Sequence, residues 1–352
     1  LRNKLFMAFL VVLLIFASPA LAADIPAQQD IKVHFIDVGQ ADSIYIQLPG
    51  NQDILIDGGN MADGPLVVNY LKAQGVDDIE LLIATHPHED HIGGLPVVFD
   101  AFVVEKVIDS GYFATSQISK LYQDKAKAEQ AVYEADNYQT LTFGNATLQI
   151  LTGNEVWKDT NDYSVVCRLD TGDIEFLFTG DAEAPVEMFL NGELDAEILK
   201  VGHHGSSSST TADFLAKVKP QIGIISVGAG NTYGHPNIDT LQRLQAAGVT
   251  AYRTDQSGTI VVKTDGKTYS MTTERTGITP VPVAPIPSPV VQQAAPVPAQ
   301  STGKYVGSST SNKYHYPDCR HAKTIQDGNK VWFKDTADAK VKGYVPCGVC
   351  KP

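Results

Sequence analysis

The chain has 352 residues, 43% hydrophobic and 19% charged, which excludes a disordered polymer and suggests one large domain plus something smaller. Its formal charge is −13, so a uniformly basic nucleic-acid binder is excluded.

The first segment does not read as part of a fold. Arg2 and Lys4 precede an apolar run, Leu5 to Phe16, and Ala20-x-Ala22 follows as a small-residue cleavage pattern. Residues 1–22 therefore read as a secretory signal peptide, with an extracellular or cell-surface product expected. An uncleaved anchor is the alternative, and the run is short for a span of about 20 residues. Loss of Arg2 and Lys4 would leave −15. The balance is uneven: residues 304–352 carry nine Lys or Arg against four Asp, a tail of +5 on a body of −20. Two domains with two jobs are expected. A Pro/Ala-rich stretch, 276–303, reads as an extended linker between a large domain at 31–275 and a small one at 304–352.

In chain order, Ile31 to Asp37, Ser43 to Leu48 and Asp53 to Asp57 read as strands, and Leu66 to Gln74 as a helix. Leu81 to Ala84 reads as a buried strand, and 120–135 as a helix. Further strands are expected at 147–151, 165–169, 175–179, 197–201 and 223–227, with helices at 211–217 and 238–247. This alternation predicts an α/β layered fold.

The strand at Leu81 runs into His86-Pro87-His88-Glu89-Asp90-His91. A strand that ends abruptly fixes the backbone, and the loop beyond it aims several side chains at one point. Imidazoles with a carboxylate suit Zn²⁺ and, with more oxygen, Mn²⁺. A solvated His-rich turn is the alternative. Gly93-Gly94 predicts close packing beside the site. Downstream come Phe178-Thr179-Gly180-Asp181 and Leu199-Lys200-Val201-Gly202-His203-His204-Gly205-Ser206.

In that order these motifs resemble the metallo-β-lactamase superfamily. The resemblance implies an αβ/βα sandwich with a metal site at one edge, and metal-activated water as the nucleophile. It implies that His86, His88, Asp90 and His91 hold metal, with Asp181 bridging two ions and His203 or His204 completing the second position. Spacing does not separate the two histidines. Phe35-Ile36-Asp37-Val38-Gly39-Gln40-Ala41-Asp42-Ser43 and Asn231-Thr232-Tyr233-Gly234-His235-Pro236 resemble the ComEC-like branch, over roughly 31–273. That branch implies phosphodiester hydrolysis, with DNA the leading candidate; single-stranded DNA or another phosphodiester is the expected partner. Asp90 and Asp181 are expected to orient the nucleophile. His235 is expected either to protonate a leaving group, to bind a phosphate oxygen, or to serve only the backbone before Pro236. Asp37 and Asp57 are candidates to support a ligand histidine. The superfamily's third histidine is missing, since no His lies between His91 and His203. Asn161-Asp162-Tyr163-Ser164 stands in its place, and Asp162 or water is expected to complete that side.

In the small domain, His315-x₃-Cys319 and Cys347-x₂-Cys350 have the spacing of a structural Cys₃His Zn²⁺ site, with a Cys347–Cys350 disulfide as the alternative. About 49 residues bury too little core alone, and a metal would supply the missing stability. The flanking sequence resembles the Ada-type metal-binding domain. His315 stands where that family has its first cysteine, which excludes alkyl transfer there. Its basic residues and Tyr305, Tyr314, Tyr316, Trp332 and Phe333 suit nucleic acid, or form a mini-core with a solvated face. Cys167 lies in an apolar strand and is expected to be inert. Turnover of a small lactone, lactam or phosphonate, and a non-catalytic metal-binding role, are the alternatives to a nuclease.

Overall fold

The computed structural model describes residues 30–129, 131–275, 303–308, 311–325, 330–342 and 344–352. The expected signal segment 1–22 and the expected linker through residue 302 lie outside them. Contacts divide the chain into two compact units, Leu1–Ala284 and Pro285–Pro352.

Two mixed sheets form the large unit. The eight-stranded sheet runs, in spatial order, Tyr269–Thr273, Ile260–Thr264, Ile31–Phe35, Ile44–Leu48, Gln52–Ile56, Leu81–Ala84, Lys106–Asp109 and Val132–Ala135. The seven-stranded sheet runs Thr250–Arg253, Ile222–Ile225, Ile198–Lys200, Glu175–Phe178, Cys167–Asp170, Ala146–Ile150 and Gln139–Phe143. Alternate residues of the facing strands, such as Val33, Phe35, Ile54, Ile56 and Ile83 against Leu148, Leu169, Phe176 and Phe178, form one buried cluster. Burying each such side chain contributes roughly 1.5–3 kcal/mol. The other face of the first sheet packs Leu55, Leu82 and Val107 on Val67, Leu71, Leu95 and Val98 from its helices. The outer face of the second packs Leu177 and Leu199 on Val186, Phe214, Leu215 and Leu244. Helix, sheet, sheet, helix is the αβ/βα sandwich expected from the motifs.

Leu81–Ala84 is buried on both faces because Leu81 and Ile83 pack against the second sheet and Leu82 and Ala84 against the helices, while parallel strands flank it, with Ile83 paired to Ile56 and to Ile108. The helix Gly64–Gln74 starts with Pro65 in its first turn and stops at Gly75, whose φ of 89° supplies the left-handed cap. The continuous helix expected over 120–135 is a correction. Helix Gln117–Ala128, capped by the Ser116 side chain, ends before Glu129, and Val132–Ala135 is an edge strand parallel to Lys106–Asp109. Val132 and Tyr133 are strand formers, and hydrogen bonding to a sheet edge outweighs the helical period of the residues before them.

The turn after Ile56 is crowded. Gly58 donates its N–H to His91 O at 2.7 Å, and Gly94 donates to Gly59 O at 3.0 Å. A Cβ on Gly93 would lie 2.4 Å from Met61 N, and one on Gly94 would lie 2.0 Å from Gly58 O. The glycine pair is thus required for the contact that seats the histidine loop on the strand-end turn.

Among the described residues, the small unit carries a four-stranded sheet, Lys330–Phe333, Tyr305–Ser308, Ser311–His315 and Val345–Pro346, and one short helix, Thr336–Val341. Tyr314, Phe333 and Ala339 are buried together, while Val306, Cys319, Ala322 and Cys347 form a second small cluster.

We expect Gly94→Ala to destabilise the large unit by about 1–3 kcal/mol, the range for overpacking a close contact. Denaturant unfolding checks it, and a variant as stable as the unsubstituted protein would contradict the reading of this turn.

Candidate active site

The site forms where strands from both sheets end. Leu81–Ala84 leads through Thr85 and His86 to His88, which caps the four-residue helix Glu89–Ile92 carrying Asp90 and His91. Asp181 follows Glu175–Phe178 through Gly180, whose φ is 51°. His203 and His204 follow Ile198–Lys200 with φ of 47° and 50°. Two adjacent non-glycine residues in the left-handed region carry strain of order 1–3 kcal/mol each, which the surroundings must hold.

Asp181 is the centre. Its Oδ2 lies 3.3 Å from His91 Nε2, 3.5 Å from His204 Nε2 and 3.7 Å from His203 Nε2. His204 Nε2 is also 3.2 Å from Asp90 Oδ2. One donor atom each from Asp90, His91, Asp181 and His204 falls within 4.8 Å of all the others. Behind this cluster, His91 Nδ1 is 2.7 Å from Asp57 Oδ2. Asp57 in turn accepts from Thr85 N at 2.8 Å and from Thr85 Oγ1 at 2.7 Å. His204 donates from Nδ1 to Ser226 O at 2.9 Å. Both rings are therefore held with Nε2 turned inward.

The electrostatics match that geometry. Burial opposes charge on His204, but Asp181 and Asp42 raise its pKa to about 10. Burial likewise opposes charge on His91, and the carboxylates of Asp181, Asp57 and Asp90 raise it well above the usual histidine value. Asp181 pays the desolvation of full burial, yet His204 and His91 hold it well below the usual carboxylate range. His91 Nε2 and Asp181 Oδ1 are buried without a hydrogen-bond partner. Buried polar atoms are seldom left so, and the four-residue donor group fits a divalent cation with two imidazole and two carboxylate ligands.

His86 and His88 form the other half. His86 Nε2 lies 3.0 Å from His88 Nδ1, and the His86 ring is 4.1 Å from that of His91. Burial, then His91, pushes His86 well below its usual pKa, and burial also lowers His88. Ser164 stands on the side where the superfamily's third histidine was sought. Its Oγ lies 3.3 Å from His86 Nδ1 and accepts from Asp181 N at 3.0 Å. Asp162 does not line the cavity, and its Oδ1 accepts from Glu183 N at 3.1 Å. Asn161, the residue before it, lines the cavity instead, with Oδ1 buried and unpartnered.

The cavity over the cluster has a volume of about 360 Å³ and is lined by His88, Asp90, Asp181, His203, His204 and His235, with Gln40, Glu89, Asn161 and Tyr233. Asn231 fixes the last motif: its Oδ1 accepts from His235 N and Tyr233 N, and its Nδ2 donates to His235 O at 2.6 Å. The His235 ring is 5.5 Å from that of His203, and its Nδ1 is buried without a partner. Burial first, then His203 and His204, lowers its pKa, so it faces the cavity as a neutral imidazole. His203 Nδ1 lies 3.0 Å from Glu183 Oε1.

Of the two aspartates expected to support a ligand histidine, Asp57 does so and Asp37 does not. Asp37 pairs with Arg275 at 2.8 Å and accepts from Gly39 N. The serines after His204 are engaged internally, Ser206 Oγ with Ser208 Oγ at 2.8 Å and Ser209 Oγ donating to Gly202 O at 2.8 Å. Sequence reasoning did not assign roles to Gln40, Asn161, Ser164, Glu183, Lys200 or Ser226. Gln40, Asn161, Ser164 and Lys200 lie inside the motifs quoted above, whereas Glu183 and Ser226 do not.

In the small unit, His315, Cys319, Cys347 and Cys350 each place a donor atom within 4.8 Å of the others. All four cysteines of the chain are free thiols, so the Cys347–Cys350 disulfide is not formed. The backbone N–H groups of Cys350 and Val349 lower the Cys347 thiol, while burial pushes Cys350 up to about 11. Cys167 is fully buried, and burial raises its thiol far above the usual range, in keeping with an inert core residue.

The metallo-beta-lactamase superfamily model matches residues 36–229. ComE operon protein 3 of Bacillus subtilis is 30% identical over 272 residues, covering 71% of this chain and 34% of that protein. Recombination protein 2 of Haemophilus influenzae is 31% identical over 239 residues, covering 66% of this chain and 28% of that protein. The chain thus spans about a third of the length of these curated relatives. Among solved structures, the metallo-beta-lactamase fold protein YhfI from Bacillus subtilis is similar at a TM-score of 0.43 and 14% identity, covering 67% of this chain and 99% of that one. The chain belongs to the metallo-beta-lactamase superfamily, as a ComEC-like, metal-dependent hydrolase.

The raised pKa values of His91 and His204 mean that both imidazoles are protonated in the metal-free protein at pH 7. Ligation requires neutral imidazole, so uptake of Mn²⁺ should release protons, and affinity should climb as pH rises toward about 10. Calorimetry in two buffers of different ionisation enthalpy reads this, and identical heats in both would contradict it.

Proposed function

We propose that the chain is an exported phosphodiesterase that hydrolyses DNA, single-stranded DNA first, at the cavity over Asp181. The observation that carries the reading is the convergence of Asp90, His91, Asp181 and His204, backed by Asp57 and Ser226, beneath a cavity that His235 also lines. In this reading those four residues hold a divalent cation, Zn²⁺ or Mn²⁺, and His86 and His88 share Asp181 with a second, weaker position. A cation bound there supplies Lewis-acid polarisation of a phosphoryl oxygen and lowers the pKa of bound water. The side chains do the rest. Asp181 and Asp90 fix the direction of attack, and the buried walls keep their charges unscreened. His235, neutral at pH 7, hydrogen-bonds a phosphate oxygen rather than protonating the leaving group. His203, held by Glu183, closes the same wall.

DNA is supported by the names of the relatives, a ComE operon protein, a competence protein and a recombination protein. It is also supported by the charge pattern, in which a +5 tail follows an acidic body. In this reading the tail is a Cys₃His zinc module that binds nucleic acid through its basic and aromatic residues. One observation favours a second reading. No Lys or Arg lines the cavity among the described residues, which suits a small uncharged substrate such as a lactone or β-lactam.

With Mn²⁺ or Zn²⁺ added, the protein should degrade single-stranded DNA, and Asp181→Ala should lose more than about 100-fold of that rate, because loss of a ligand exceeds the cost of losing a supporting contact. Turnover of a lactone or β-lactam without DNA cleavage would overturn the DNA reading in favour of the second. For the tail, a strong chelator should open Cys319, Cys347 and Cys350 to a thiol reagent while buried Cys167 stays protected. Three reactive thiols before any chelator is added would contradict the zinc module.

A further inference from the structure

Two charged side chains behind the cluster have no task in the reading above. Lys200 is fully buried, at 0% exposure. Its Nζ lies 2.7 Å from Asp42 Oδ2 and donates to Val201 O at 3.0 Å. Asp42 is buried too, and its Oδ1 sits 3.4 Å from His204 Nδ1 with no hydrogen bond of its own. The backbone of Asp42 braces the histidine loop, donating to Asp90 O at 3.0 Å and accepting from Gly59 N at 2.8 Å. A buried lysine is costly unless paired, and a buried carboxylate likewise, so the sequence keeps this pair against the cheaper choice of two apolar residues. Packing alone does not require it.

The surroundings say what the pair does. Asp42, Asp57 and His91 also place donor atoms within 4.8 Å of one another, a second donor set immediately behind the first. A free Asp42 carboxylate would draw a cation into that set, or draw the His204 ring away from Asp181. With Lys200 on Oδ2, Asp42 offers only Oδ1, directed at the Nδ1 side of His204.

We propose that Asp42 and Lys200 are a positioning pair for the metal site: Asp42 holds the Nδ1 edge of His204 inward so that Nε2 faces Asp90 and Asp181, and Lys200 keeps Asp42 from serving as a ligand itself. The inference rests on the reading that Asp90, His91, Asp181 and His204 bind metal. It gives a task to the last acidic residue of the Asp37–Ser43 motif and to a lysine four residues before His204, neither of which touches the cavity.

The test uses the full chain and Mn²⁺, which the soft thiolates of the small unit disfavour. Free Mn²⁺ is read by electron paramagnetic resonance, and folding by thermal melting. Asp42→Asn, which keeps shape and an oxygen for Lys200, should raise the Mn²⁺ dissociation constant about 10–100-fold, as loss of a contact behind a ligand does. Asp42→Asn with Lys200→Met leaves no lone buried charge and should show the same weakening at a melting temperature close to that of the unsubstituted protein. Unchanged Mn²⁺ affinity in either folded variant overturns the pair. An unsubstituted protein that takes up no Mn²⁺ overturns the reading of the site, and the pair with it.

Discussion

The hydrogen bond from His91 to Asp57 is the contact on which the rest of the large unit's site depends. Asp57 sits at the end of a central strand, fully buried, and receives Thr85 twice and His91 once. That one carboxylate ties two neighbouring parallel strands to the helix that follows the histidine motif. It works only because the turn beyond it is glycine on both sides, Gly58-Gly59 against Gly93-Gly94, so that backbone meets backbone. The direction of His91 Nε2, and with it the meeting point with Asp181, follows from this junction.

Charge is arranged in rings around that point. Asp181 gathers three histidines, and each of these is answered from behind by an acceptor: Asp57 for His91, Ser226 and Asp42 for His204, Glu183 for His203. Among the described residues, no carboxylate hydrogen-bonds His86 or His88 from behind in this way. Ser164 reaches His86 and Asp181 together, a neutral contact where an imidazole would supply a further donor. The two halves of the site are therefore unequal by construction, with Asp90, His91, Asp181 and His204 the better-built half.

Much of this was legible in the sequence. The order of Asp181 and His203/His204 followed from the resemblance to the superfamily, while the layered fold and the strand feeding the histidine motif followed from pattern. So did the gathering of His315, Cys319, Cys347 and Cys350. What was not legible depends on partners distant in sequence. Asp37 and Asp57 are equivalent as strand-end aspartates, and only the pairing of strands puts Asp57 on His91 and Asp37 on Arg275. His203 and His204 are adjacent, and only the left-handed backbone there assigns Ser226 to one and Glu183 to the other. Asp162 or water was expected in place of the missing histidine, but the turn commits Asp162 Oδ1 to Glu183 N and leaves Asn161 lining the cavity. The helix expected over 120–135 failed for the same kind of reason, since a sheet edge captured its last residues.

The most direct test of the central claim is anomalous diffraction from crystals grown with Mn²⁺ or Zn²⁺. The account predicts a full anomalous peak among Asp90, His91, Asp181 and His204, with a weaker one or none between His86 and His88. A fully occupied ion on His86 and His88, with none bound by His91 and His204, would contradict it.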